Sequence, residues 1–274
     1  MVMTNEEFHQ YCKDVSLPTI GITRLKEIRE GNPAREIKPN RYNGVGQLAS
    51  RKMGLSIQWE SRLLEYQTAM RLEHASEVIE YYDQPHKFTY RGYDINGRRL
   101  KKDYTPDYIS LENDKVIVWE CKPLEKLAKL CISHPDEWVK DIDNGYTAPL
   151  KQQCMNEFGF EFRIISEQEL NKLVTINLRI LSNYIHNPIT ISSNTQEKVR
   201  ALIDAKNGTT IQDLLLSDKS IELDHIHQLI VNEQLFVSMT HRPITDQFAA
   251  RLYLDSDSPR YFQQRIDNLP NSHR

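Results

Sequence analysis

Hydrophobic positions along the chain change their spacing several times, and each spacing predicts an element. Thr4-Asn5-Glu6-Glu7 is a capping pattern that opens a helix carrying Phe8, Tyr11 and Cys12. Gly31 to Gly54 is rich in Gly, Pro, Asn and Arg and has no period, which predicts an irregular loop. From Ser56 to about Ala75, Trp59, Leu63, Tyr66 and Met70 recur at helical spacing. Val78–Tyr82 and His86–Tyr93 are aromatic and β-prone, and Asn96-Gly97 behind them is a hairpin turn signal. Tyr104–Leu111 and Lys115–Cys121 are predicted strands joined by Glu112-Asn113-Asp114. Residues 124–131 and 146–157 are predicted helices, followed by the strand Phe160–Ile165. The order predicts an α/β fold with a mixed sheet flanked by helices.

Past Ser166 the texture changes. A helix is predicted over Glu167–Arg179 and a connector over Leu181–Thr195, where Asn187-Pro188 and Ser192-Ser193-Asn194 interrupt any period. Short helices follow at Gln196–Ala205, Thr210–Leu216 and Glu222–Asn232, then strands at Leu235–Thr240 and Gln247–Leu254. Three helices and a terminal hairpin make a winged-helix pattern. The expected division is a leading helical and basic segment (1–55), a main domain (56–170), a connector (171–195) and a C-terminal domain (196–274).

Composition narrows the class. The 274 residues are 39% hydrophobic and 27% charged, the balance of a globular chain. There is no apolar run long enough for a membrane helix, and the polar, acidic start is unlike a signal peptide. Four cysteines without Cys-x-x-Cys spacing suggest reduced thiols and a cytoplasmic protein. The net charge of −3 hides an uneven distribution. Eight basic residues lie between Ile20 and Gln58 against three acids, whereas from Thr195 onward nine Lys and Arg face eleven acids. Arg41, Arg51 and Lys52 in the basic stretch are candidates for gripping DNA. The acidic third helix, Glu222 to Gln228, would repel a phosphate backbone and suits a protein partner better.

The chemistry concentrates between Thr105 and Pro123. Side chains two apart in a strand share a face, so Val116, Val118, Glu120 and Lys122 point one way and Ile117, Trp119 and Cys121 the other. Across the hairpin, Asp107 falls opposite the end of the second strand. Two acids and a lysine in an apolar hairpin are costly to bury, so a purely structural role explains them poorly. The carboxylates suit Mg²⁺, with Mn²⁺ as a substitute, and the lysine suits a water or a phosphate. A further acid is expected upstream. Glu65, among Ser61, Thr68, Ala69 and Leu72, has room around it; Glu60 stands nearer the predicted helix start as a stabiliser.

Pro106-Asp107 followed by Glu120-Cys121-Lys122 matches the PD-(D/E)xK motif of restriction-endonuclease-like nucleases. With Glu60-Ser61-Arg62-Leu63-Leu64-Glu65, Val78-Ile79-Glu80, Gln84-Pro85 and Thr105-Pro106-Asp107-Tyr108 ahead of it, roughly residues 40–170 resemble the TnsA endonuclease subunit of heteromeric transposases. The resemblance implies a restriction-endonuclease-like domain and a C-terminal winged helix. It implies Mg²⁺-dependent cleavage of the non-transferred strand at transposon 5′ ends, beside a DDE transposase and an AAA+ ATPase regulator. Carried over by motif, Glu65, Asp107 and Glu120 would be the acidic set, Lys122 the catalytic lysine, and the Cys121 carbonyl a further metal ligand. The alternatives are a stand-alone restriction or repair nuclease and a non-catalytic connector between transposase and ATPase.

Overall fold

Helices α1 (Asn5–Asp14) and α2 (Thr19–Glu30) start the chain in a computed structural model that describes residues 2–35, 44–61, 63–94, 96–141 and 145–259. The Thr4 hydroxyl accepts from the Glu7 N–H at 3.2 Å and the Glu7 carboxylate accepts from the Thr4 N–H at 2.7 Å, closing the capping box. Next come the hairpin β1 (Gly46–Ser50) and β2 (Leu55–Trp59), α3 (Glu65–His74) and β3 (Val78–Asp83). A second hairpin, β4 (Phe88–Tyr93) and β5 (Arg99–Tyr104), precedes β6 (Tyr108–Glu112) and β7 (Val116–Cys121). Then follow α4 (Leu124–Ser133), a short ladder β8 (Val139–Lys140) and β9 (Tyr146–Thr147), α5 (Pro149–Glu157) and β10 (Glu161–Ile165).

The central sheet runs β10-β7-β6-β3, with β10 parallel to β7 and the other pairs antiparallel. All six residues of β7 are buried because both faces of the sheet are covered. Val116, Val118, Ile109 and Leu111 pack with Phe8, Leu25, Phe88, Leu127 and Met155 on one face. Ile117, Trp119 and Tyr108 pack with Ile57, Leu64 and Leu72 on the other. The alternation read from the sequence therefore sorts β7 into two cores. A fully buried Glu80 ties the leading helices to the sheet: it accepts two bonds from Arg29, at 2.9 and 3.1 Å, one from the Met3 N–H and one from Tyr82.

Several expected elements take a different form. Residues 56–59 are strand, not the start of a helix. Ile57 is buried opposite Leu48 in the β1–β2 ladder, and that pairing overrides the helical spacing of Trp59 and Leu63. The helix begins only at Glu65. The expected loop over Gly31–Gly54 contains β1, and a Cβ on Gly46 would lie 2.2 Å from the Trp59 ring that crosses it. The expected strand from Tyr104 to Leu111 is broken at Thr105-Pro106-Asp107, where Pro106 has no N–H to give a ladder. The helix expected from 146 begins instead at Pro149, in the first-turn position that tolerates proline. The Asn96-Gly97 turn forms as expected, with Gly97 at φ +74°.

The chain folds as two units, Met1–Leu170 and Asn171–Arg274. The second contains α6 (Lys172–His186), α7 (Ser193–Ala205), β11 (Thr209–Thr210), α8 (Ile211–Ser217), α9 (Leu223–Val231), β12 (Phe236–Val237) and β13 (Arg251–Tyr253). Its antiparallel strands run β11-β13-β12 beside a core that includes Val199, Ile203, Leu214, Ile226, Leu229 and Leu252. The helix expected at 167–179 starts later and runs further, into the expected connector. Asn171 caps it by accepting from the Leu173 N–H at 2.8 Å, and Asn187, ahead of Pro188, ends it. Among the described residues, no helix is long and apolar enough to cross a membrane.

Candidate functional site

The β6–β7 hairpin brings the acids and the lysine together at one end of the sheet. Tyr108 stands opposite Trp119 in the ladder, so Asp107 falls beside the last residues of β7. It is fixed there from both directions: its N–H donates to the Trp119 carbonyl at 3.1 Å, and its Oδ2 accepts from the Cys121 N–H at 2.7 Å. Glu120 points to the same face as Val116 and Val118 and is buried. Lys122 ion-pairs with Glu120 Oε1, and its Nζ lies 3.4 Å from the Cys121 carbonyl. The sulfur of Cys121 points the other way, to Thr68 on α3.

Glu65 arrives from the opposite face of the sheet. As the first residue of α3 it sits where the helix dipole favours a carboxylate, and the buried Tyr108 hydroxyl donates to its main-chain carbonyl at 3.2 Å. Its Oε2 accepts from the Glu60 N–H at 2.6 Å. Glu60 lies ahead of the helix and pairs with Arg35.

Burial and mutual repulsion set the protonation of the acids. Burial, then the neighbouring Glu120 and Glu65 carboxylates, push Asp107 up to about 7 against the pull of Lys122. Burial and the Glu60 carboxylate raise Glu65 as well. Glu120 goes the other way: burial alone would raise it, but Lys151 and Lys122 hold it below the usual carboxylate range. Burial would lower Lys122, but Glu120 and Asp107 keep it firmly charged.

Lys151 belongs to no recognisable motif, and sequence reasoning misses it. It lies on α5, 6% exposed, with Nζ 3.6 Å from Glu120 Oε2. That oxygen is buried and, among the described residues, accepts no hydrogen bond. The available signal is positional: Lys151, Cys154, Met155 and Phe158 share the inward stripe of the helix, and one of the four is charged.

The proposed DNA-binding residues separate. Arg41 lies outside the described residues. Arg51 is exposed at the β1–β2 turn, where its N–H donates to Glu73 at 2.9 Å. Lys52 turns inward, and its Nζ donates to the carbonyls of Leu72, Ala75 and Val78 at 2.9, 2.7 and 2.7 Å. Its three protons are spent at the C-terminal end of α3.

Among the described residues, no three His, Cys, Asp or Glu side chains gather closely enough to hold a metal ion. Asp107 and Glu120 with the Cys121 carbonyl still fit a hard divalent cation, because Mg²⁺ is commonly held by one or two carboxylates, its own waters and a substrate phosphate. Two observations favour that fit: Glu120 Oε2 accepts no hydrogen bond among the described residues, and Asp107 is pushed up first by burial and then by the acids beside it. The class of protein that the fold defines is a mixed α/β protein with a helix-flanked mixed sheet. Compared with protein-family models and with curated proteins, the sequence matches none.

Proposed function

We propose that this chain is an Mg²⁺-dependent DNA endonuclease, the TnsA-like subunit of a heteromeric transposase. In this reading the first unit is a restriction-endonuclease-like domain and the second a winged helix. The observation that carries the proposal is the convergence of Asp107, Glu120 and Lys122 at the end of a buried hairpin, with Glu65 close enough to raise Asp107. A divalent cation held by Asp107, Glu120 and the Cys121 carbonyl would acidify a bound water and shield the scissile phosphate. Lys122, released from Glu120, orients the attacking water or neutralises the charge developing on phosphorus. Glu65 supplies a further carboxylate from the other side of the sheet. Arg51, exposed at the β1–β2 turn, remains the candidate for the DNA backbone, and the acidic α9 region suits a protein partner such as the DDE transposase or the AAA+ ATPase.

The test uses the full chain with a candidate DDE transposase partner, on duplex DNA carrying that transposase's transposon ends. Nicking of the 5′ strand is expected in Mg²⁺ or Mn²⁺, and its loss in Asp107→Ala and Lys122→Ala. Cleavage that survives both substitutions overturns the assignment. Cleavage of plain duplex without any partner would identify a stand-alone nuclease instead.

A further inference from the structure

Lys151 is costly where it stands. Its helix needs an apolar residue at that position, as Cys154, Met155 and Phe158 show one and two turns along the same stripe. Instead the ammonium lies 4.0 Å from the Tyr104 ring centroid, 4.5 Å from that of Trp138 and 6.0 Å from that of Phe162. Aromatic faces attract a cation, but less strongly than the water they displace. The compensating anion is Glu120, which therefore stands between two lysines: Lys122 on Oε1 and Lys151 near Oε2.

The formal charges of the site explain what a second lysine adds. With all three acids ionised, Asp107, Glu120 and Glu65 carry three negative charges, and Lys122 and Lys151 carry two positive ones. Arg35 and Glu60 cancel each other. One negative charge is left over. A divalent cation reverses that to one positive charge, the match for the single negative charge of a phosphodiester. Without Lys151 the empty site would carry two negative charges and the cation-loaded site none. A cation would bind more tightly, and the phosphodiester would no longer be drawn to the result.

We propose that Lys151, standing beside the second oxygen of Glu120, sets the charge of the nuclease site and so couples cation binding to phosphodiester binding. The proposal rests on the nuclease reading above. It assigns no proton transfer to Lys151, whose ring cage keeps it behind Glu120.

The test compares full-length wild type, Asp107→Ala, Lys151→Met, Lys151→Gln and Lys151→Arg, each checked for a cooperative melt. Mn²⁺ binding is measured calorimetrically without DNA, and duplex binding by anisotropy with and without Ca²⁺. Lys151→Met and Lys151→Gln are expected to bind Mn²⁺ at least about threefold more tightly than wild type, since a positive charge a few ångströms away has gone. Their Ca²⁺-dependent gain in DNA affinity should shrink by about threefold or more on the same grounds. Lys151→Arg keeps the charge and should keep wild-type Mn²⁺ affinity. A merely structural lysine predicts the opposite sign, because a loosened Glu120 binds Mn²⁺ more weakly. Unchanged or weaker Mn²⁺ binding in the Met and Gln variants overturns the proposal, as does an Arg variant that behaves like Met. If wild type does not bind Mn²⁺, or Asp107→Ala binds it equally well, the nuclease reading fails first and takes this inference with it.

Discussion

Asp107→Asn should make the cation-free protein more stable, although it removes a proposed metal ligand. Asn is nearly isosteric and keeps an oxygen for the Cys121 N–H, so the main change is the loss of a charge. Asp107 moves from an ordinary 3.8 to about 7 in the folded chain. At about 1.4 kcal/mol per pH unit, ionising it in place costs up to about 4 kcal/mol. The residue is only half-buried and shares its field with Glu120 and Lys122, so about 2 kcal/mol is the better expectation. The sign follows from linkage. A carboxyl whose folded pKa is raised contributes its stability below the unfolded value, near pH 4, and loses it as pH rises through 7. At pH 8 in EDTA, Asp107→Asn should therefore melt roughly 4–8 °C above wild type, at about 2–4 °C per kcal/mol. Toward pH 4 the gap should close. Millimolar Mg²⁺ or Mn²⁺ should raise the wild-type midpoint at pH 8 and leave that of Asp107→Asn unmoved. A variant that melts at or below wild type at pH 8 refutes the electrostatic account. One that still gains stability from the cation refutes the ligand role of Asp107.

Four other substitutions test features outside the acid–lysine cluster. Arg29→Met leaves the fully buried Glu80 without its cation and should cost about 3 kcal/mol or more in urea unfolding; a loss under about 1 kcal/mol would show that the Met3 and Tyr82 bonds suffice. Arg51→Ala should weaken DNA binding and flatten its salt dependence at an unchanged melting point, whereas Lys52→Met should lower the melting point through lost helix-end bonds and leave the salt slope alone. A reversed pattern refutes that division of roles. In the second unit, Asn177 is fully buried; its Nδ2 donates to the Met239 and Arg242 carbonyls and its Oδ1 accepts from the Ile244 N–H, so Asn177→Ala should cost about 2–3 kcal/mol, read as a lower midpoint for that unit in proteolysis-coupled unfolding. An unchanged midpoint would show that the 239–244 turn holds without it.

The parts of this molecule that a sequence discloses are those decided by near neighbours in the chain. Strand alternation placed Glu120 and Lys122 side by side, and they pair. The turn at 112–114 set Asp107 against the end of β7, and the Cys121 N–H bonds to it there. Thr4 and Glu7 satisfied a helix start three residues apart. What the sequence hid was decided by partners far away. Residues 56–59 have the spacing of a helix, yet β1 pairs with them from about ten residues upstream, and Leu48 opposite Ile57 outweighs Trp59 spaced for Leu63. Lys52 reads as one more charge in a basic loop until α3 ends beside it with open carbonyls.

Lys151 is the sharpest case, because its meaning depends on four distant segments at once: Tyr104, Glu120, Trp138 and Phe162. No local pattern joins them. The one clue along the chain is a charged residue on the inward stripe of α5, and such a residue must be paired, because an isolated buried ammonium would unfold or neutralise itself. Glu120 answers that requirement and already answers to Lys122, so the same carboxylate is asked for by two cations and, in the nuclease reading, by a third. A stable fold needs no such competition; one lysine would pair Glu120, and a Met in the ring cage would pack better. The competition makes physical sense where the central carboxylate must exchange partners, and it places the exchange at Glu120, the residue on which the charge of the whole site turns.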